Sequence, residues 1–185
     1  MNLIQALAPP SAADSIAYHF AIPKQFVESG RLFYLPDIAA NSPLNQHMLY
    51  TFGMLLNKQT LPALISYSQG IVLLAAIVIF GRKYFNNIIG ILAATLFYTL
   101  PLVTTIASSG HVEMALTLFT FLAFWAFIEW SSSQDIRWLA LSAILTGIVA
   151  GTKYYGLFTV FVLGILVAWH SFRIYKAQFI PLSRT

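Results

Sequence analysis

The chain has 185 residues, 58% of them hydrophobic and only 9% charged; a soluble domain carries about 25% charged residues, so a water-soluble globule is excluded in favour of a membrane protein. There is no cysteine, which rules out both a disulfide framework and a thiolate metal site. The net charge of +4 comes from ten basic residues scattered without a dense stripe, so nucleic acid is not expected as a partner.

In chain order, "MNLIQALAPP" has no basic residue and too short an apolar run for a signal-peptide core. It reads as the tail of a membrane helix whose beginning is missing. Residues 9–60 hold Pro9, Pro10, Pro23, Pro36 and Pro43 among aromatic and polar residues, and form a loop outside the bilayer. Within it, Ser15 to Val27 has an interfacial amphipathic pattern after an Asp or Ser N-cap, and Ala39 to Leu56 predicts a second such element. A bilayer core of about 30 Å asks for about 20 apolar residues per helix. The first clear run is Leu61 to Phe80, closed by Gly81, Arg82 and Lys83. Ile88 to Ala107 follows, with Pro101 predicted to kink it near its far end. Val112 to Trp130 comes next, closed by "SSSQDIR". The remainder is split by "GTKYYG" into Trp138 to Ala150, which is short, and Gly156 to Trp169. The expected fold is all-α: a polytopic transmembrane helical bundle, one membrane domain over 1–185, with the outer loop at 9–60 and about five spans over 61–176.

Alternation of the spans places Arg82, Lys83, Arg137, Arg173 and Lys176 on one side and only Lys153 in the short turns of the other, so the basic side is expected to be cytoplasmic. Four of the six acidic residues (Asp14, Glu28, Asp37 and Glu113) and three of the four histidines (His19, His47 and His111) then fall outside. Ionisable groups near membrane depth default to a functional reading, so the outer face is where a site is expected. Each candidate also has a structural reading. Asp14 suits a helix N-cap, Glu113 an acid favouring a helix N-terminus, and Lys153 an interfacial anchor. Glu28 and Asp37 read as solvated loop acids. Trp130, Trp138 and Trp169 read as belt residues, and Gly147 with Gly151 as a close helix-packing pair. The histidines lack H-x-x-x-H spacing, so no metal ligands are assigned.

Taken in order, "LAPPSAADSIAYHFAIPKQFVESGRLFYLPD", "NSPLNQHMLY", "PLVTTIASSGHVEMALTLF" and "LTGIVAGTKYYGLF" resemble the N-terminal half of a GT-C glycosyltransferase. The group is that related to protein O-mannosyltransferases and aminoarabinose lipid A transferases. The resemblance implies transfer of a sugar from a polyprenyl-phosphate donor to an unidentified acceptor, with inversion, at the periplasmic face of a bacterial inner membrane. It implies Asp14 of "DSIAYH" as general base or orienting acid and Glu113 of "GHVEMAL", where relatives usually carry Asp, as the second acid. Lys153 of "GTKYYG" would face the donor phosphate. Tyr18, His19, His47, His111 and Tyr154 are the neighbouring substrate-binding candidates, His47 standing where relatives often carry Glu. No cofactor is assigned, and a divalent metal is left open. The family generally has more spans than this chain, which therefore reads as part of a longer enzyme. The alternatives are a transporter subunit, with Glu113 and Lys153 lining a pathway, and a non-catalytic membrane scaffold or degenerate fragment.

Overall fold

A computed structural model describes residues 2–37, 39–56 and 60–179. Among them every regular element is helical, as the composition predicts. The order is α1 (Asn2–Leu7), a π-helical turn (Ser15–His19), α2 (Ala21–Ser29), α3 (Asn45–Leu56), α4 (Thr60–Tyr84), α5 (Asn87–Thr99), α6 (Pro101–Ser108), α7 (Glu113–Ser133), α8 (Ile136–Ala150) and α9 (Gly156–Phe179).

Three helices are long and apolar enough to cross a membrane: α4, α7 and the 156–176 part of α9. Helices α5 and α6 pass the same test only as a pair, and they meet at 75°. Pro101 is the cause. Its ring disfavours α backbone at the residue before it, and Leu100 is extended at φ −65°, ψ 122°. Pro101 then starts the next helix at a position where its missing N–H costs nothing. Helix α8 has 15 residues, about 22 Å at 1.5 Å per residue, short of the apolar thickness. Length and composition therefore support three crossings, or four with the bent pair, where hydropathy along the sequence predicts about five.

Helix α4 is the hub, touching α1, α3, α5, α6 and α7, while α8 lies along α7. Ala123 and Ala126 of α7 are buried against Leu145 of α8 and Leu163 of α9; such small side chains let helix backbones approach closely. Ser142 Oγ donates to the Ala123 carbonyl at 2.9 Å across the same contact. Gly147 and Gly151 do not act as a packing pair. A Cβ on Gly147 would meet nothing within 4 Å, whereas one on Gly151 would stand 2.0 Å from Nδ2 of Asn45, the first residue of α3.

At the end of the bundle carrying Arg82 and Arg137, Lys83 pairs with Glu129. Glu129 also accepts from the Tyr84 hydroxyl at 2.8 Å and Trp125 Nε1 at 2.9 Å, joining α4 to α7. Trp130 is 6% exposed, with its ring against Phe127 and His170. It is a core residue and not the belt residue its place in the sequence predicts. Trp169 remains exposed, with the Arg173 guanidinium 5.0 Å over its ring.

Candidate active site

At the opposite end of the bundle, four stretches far apart in sequence are fastened together by specific bonds. The π-helical turn buries Ser15 and His19, and Ser15 Oγ donates to the Ser109 carbonyl in the turn before α7. That turn depends on Gly110, whose φ of +74° is unfavourable for any side chain. A Cβ there would also stand 2.2 Å from Phe20 Cζ. Helix α3 is fixed at its start by Asn45 N–H donating to the Gly151 carbonyl at 2.9 Å. The Tyr154 hydroxyl donates to the Asn41 carbonyl at 2.9 Å and braces the same junction. Gln46 and Gln69 exchange two amide hydrogen bonds of 3.1 Å between α3 and α4, both buried. The Tyr50 hydroxyl and Ser66 Oγ donate to the His111 carbonyl at 3.3 and 3.2 Å. The site thus rests on rigid supports, as a reactive arrangement requires.

These bonds bring Glu113 and Lys153 into an ion pair, through Glu113 Oε1 and Lys153 Nζ. Their side chains are 31% and 26% exposed, so one edge of the pair is open to solvent. Behind it lie His19 and His47, 1% and 2% exposed, with Nδ1 of the first 3.2 Å from Nε2 of the second. The His111 ring is 5.4 Å from that of His19, and its Nδ1 is 2.7 Å from Ser109 Oγ. Burial, then His47, His111 and Lys153, lower the His19 pKa to about 2. Burial and then Lys153 lower that of His47 to about 4. Both imidazoles are therefore neutral, so the 4.0 Å between His19 Nε2 and Glu113 Oε2 is not an ion pair despite its length. Burial, followed by the carboxylates of Asp14 and Glu113, pushes the Tyr18 phenol up to about 12. Tyr18 thus senses both acids.

The structure gathers His19, His47, His111, Glu113 and Lys153 into one cluster, with Tyr18 connecting it to an exposed Asp14. Asp14 is not an N-cap: its backbone is already helical at φ −64°, ψ −36° and its side chain caps no amide. Glu113 does open α7, but its carboxylate pairs with Lys153 and not with backbone amides. Glu28 pairs with Lys24 at 3.7 Å on the surface, and Asp37 Oδ1 accepts from Ala39 N–H at 2.7 Å. Ser15, Asn45, Gln46, Gln69 and Ser109 shape the site without having been singled out from the sequence. Their only signal is that each is a small polar or amide residue beside an apolar run. Among the described residues no group of three or more His, Asp or Glu is arranged to hold a metal ion. A cavity of about 550 Å³ lined by Pro10, Ile16, Phe20, Val27 and Met54 includes none of the candidate residues.

Residues 45–185 match the family model described as dolichyl-phosphate-mannose-protein mannosyltransferase. The match takes in His47, His111, Glu113, Lys153 and Tyr154 and begins after Asp14, Tyr18 and His19. No curated protein and no solved structure matches the chain.

Proposed function

Because the chain belongs to the dolichyl-phosphate-mannose-protein mannosyltransferase family, we propose that its polar cluster transfers a sugar from a polyprenyl-phosphate donor to a hydroxyl acceptor. The observation that carries this reading is the Glu113–Lys153 ion pair, half open to solvent at the helix ends and backed by two neutral histidines.

The donor's lipid lies in the bilayer, and its phosphate reaches the end of the bundle where Lys153 stands. A compact ammonium there stabilises charge growing on the departing phosphate. The acceptor oxygen bonds to the anomeric carbon from the opposite side as the carbon–oxygen bond to phosphate breaks, and the phosphate keeps the electron pair. The acceptor proton passes to a carboxylate, with exposed Asp14 as the general base. Glu113, paired and half-buried, holds substrate as the second acid. One such displacement inverts the anomeric centre. The distribution of Arg and Lys supports the site facing away from the cytoplasm; in a bacterial inner membrane that is the periplasmic face.

The test is reconstitution of the full chain in proteoliposomes with a radiolabelled polyprenyl-phosphate mannose and candidate hydroxyl acceptors. Asp14→Asn is expected to abolish transfer without changing the amount of folded protein, and Lys153→Gln to weaken donor binding. Unchanged transfer by Asp14→Asn removes that residue from the mechanism. Reporter tags after Lys83 and after Gly110 test the orientation: a cytoplasmic tag at Gly110 defeats the outward-facing site.

A further inference from the structure

Three buried polar atoms in the cluster have no hydrogen-bond partner, His47 Nδ1, His19 Nε2 and Glu113 Oε2, and the last two stand 4.0 Å apart. An unpaired buried polar atom costs about 1–3 kcal/mol, so the two that stand 4.0 Å apart ask what group fits in the gap between them. We propose that this gap is a hydroxyl-binding notch, in which one hydroxyl group of the transferred sugar or of the acceptor sits between His19 and Glu113 while His47 sets the direction of the His19 hydrogen bond. The inference rests on the sugar-transfer reading and adds to it the group that these two residues grip.

The chemistry of the two atoms selects the ligand. An ionised carboxylate can only accept, so whatever meets Glu113 Oε2 must bring a hydrogen. Glu113 Oε1 is already held by Lys153, which fixes the direction of the free oxygen. A neutral imidazole offers one donor and one acceptor nitrogen. The bond between His19 Nδ1 and His47 Nε2 couples the two rings through one shared proton. When His47 donates it, His19 must carry its own proton on Nε2 and donates into the gap. In that tautomer the group between them accepts from His19 and donates to Glu113. A hydroxyl does both. An ammonium has no lone pair to offer, and a phosphate oxygen is repelled by the carboxylate. An oxygen about 2.8 Å from each atom spans a 4.0 Å separation with an angle of about 90°, open to a tetrahedral oxygen. His111 is a wall of the notch and not a jaw, because its Nδ1 is bonded to Ser109.

The test uses the full chain in lipid nanodiscs with ¹⁵N-labelled histidine, the His19 resonances being assigned by loss in His19→Gln. The donor probe is farnesyl phosphate mannose with its monodeoxy analogues; the acceptor probe is a threonine-containing peptide with its valine counterpart. Both arms are read in the wild-type protein, and in them a variant serves only to assign the resonance. If the sugar supplies the hydroxyl, one deoxy analogue binds about 10- to 100-fold more weakly and fails to move the His19 Nε2 resonance that the parent moves. If the acceptor supplies it, the threonine peptide moves that resonance and the valine peptide does not. His47→Phe is expected to erase the discrimination and His47→Gln, whose amide can still donate, to restore it. Deoxy analogues that all bind like the parent, together with indistinguishable peptides, overturn the notch while Lys153-dependent binding of farnesyl phosphate leaves the sugar-transfer reading standing. Farnesyl phosphate binding that ignores Lys153→Gln overturns the sugar-transfer reading itself.

Discussion

Replacing Lys153 with glutamine is expected to raise the pKa of His19. In the wild-type chain burial, His47, His111 and Lys153 all hold it down, to about 2. Without the ammonium, a His19 imidazolium faces an uncompensated carboxylate across 4.0 Å. At an effective dielectric of about 20 that attraction is about 4 kcal/mol. Because the Glu113 side chain is 31% exposed, solvent screening leaves about half, or about 2 kcal/mol. At 1.36 kcal/mol per unit this corresponds to a rise of about 1.5 units, still below an ordinary histidine because burial is unchanged. The assay is a pH titration of the His19 ¹⁵N resonances in nanodiscs for the wild type, Lys153→Gln and Lys153→Gln with Glu113→Gln. The rise is expected to be larger in the single variant than in the double, which keeps only the loss of the Lys153 repulsion. A His19 that titrates alike in all three refutes the inference that the Glu113–Lys153 pair governs its charge.

Acid should destabilise the fold. The folded-state pKa values of His19 and His47 lie below the unfolded value of 6.5, so the unfolded chain takes up protons first as pH falls. Their contribution is intact above pH 6.5 and is lost at up to about 1.4 kcal/mol per pH unit for each histidine below it; that of His47 levels off near pH 4. Thermal unfolding in micelles should show a falling midpoint from pH 7 to 5, and a flat midpoint contradicts the neutral burial of the pair. Glu113→Gln is expected to bind inorganic phosphate several-fold more tightly than wild type by calorimetry, since Lys153 is released from its partner; an unchanged or weaker affinity shows that Lys153 is not the phosphate ligand. Gly110→Ala is expected to cost about 2–4 kcal/mol through its left-handed backbone and the clash with Phe20. Gly147→Ala, with open space around it, should be neutral or gain up to about 1 kcal/mol. Chemical denaturation of the two variants in mixed micelles checks both, and equal effects contradict the assigned packing.

What the sequence makes legible is decided by range. Runs of apolar residues mark α4, α7 and α9 because each signal is complete within one helix. The break at Pro101 is equally local, but the 75° bend is not, since it depends on how α6 packs beside α4 and α7. Trp130 ends an apolar run just as Trp169 does; only the arrival of His170 from α9, beside Phe127 of its own helix, makes one of them core. The acids and Lys153 are legible as candidates because alternation of spans puts them at one end. The histidine pair is not: His19 and His47 are 28 residues apart with no periodic relation, and their contact exists only because Ser109, Gly151 and Asn41 fasten the loop. Asp14 shows the same limit from the other side. Its sequence context suits an N-cap, but the π-helical turn begins with its backbone already helical, and the carboxylate meets the Tyr18 hydroxyl and no backbone amide.

The Glu113–Lys153 pair also sets an order of events as the chain is made. Its two members are 40 residues apart, so at about 5–20 residues per second the carboxylate is synthesised about 2–8 s before the ammonium. During that interval α7 has to take its place in the bilayer with an unneutralised acid at its tip, which favours leaving that tip in water until α8 and α9 follow. Completion of the last turn then does more than add a helix. It discharges the tip of α7 and closes the polar cluster in the same step, so a nascent chain stalled before residue 153 carries the acid and both buried histidines but no counter-charge.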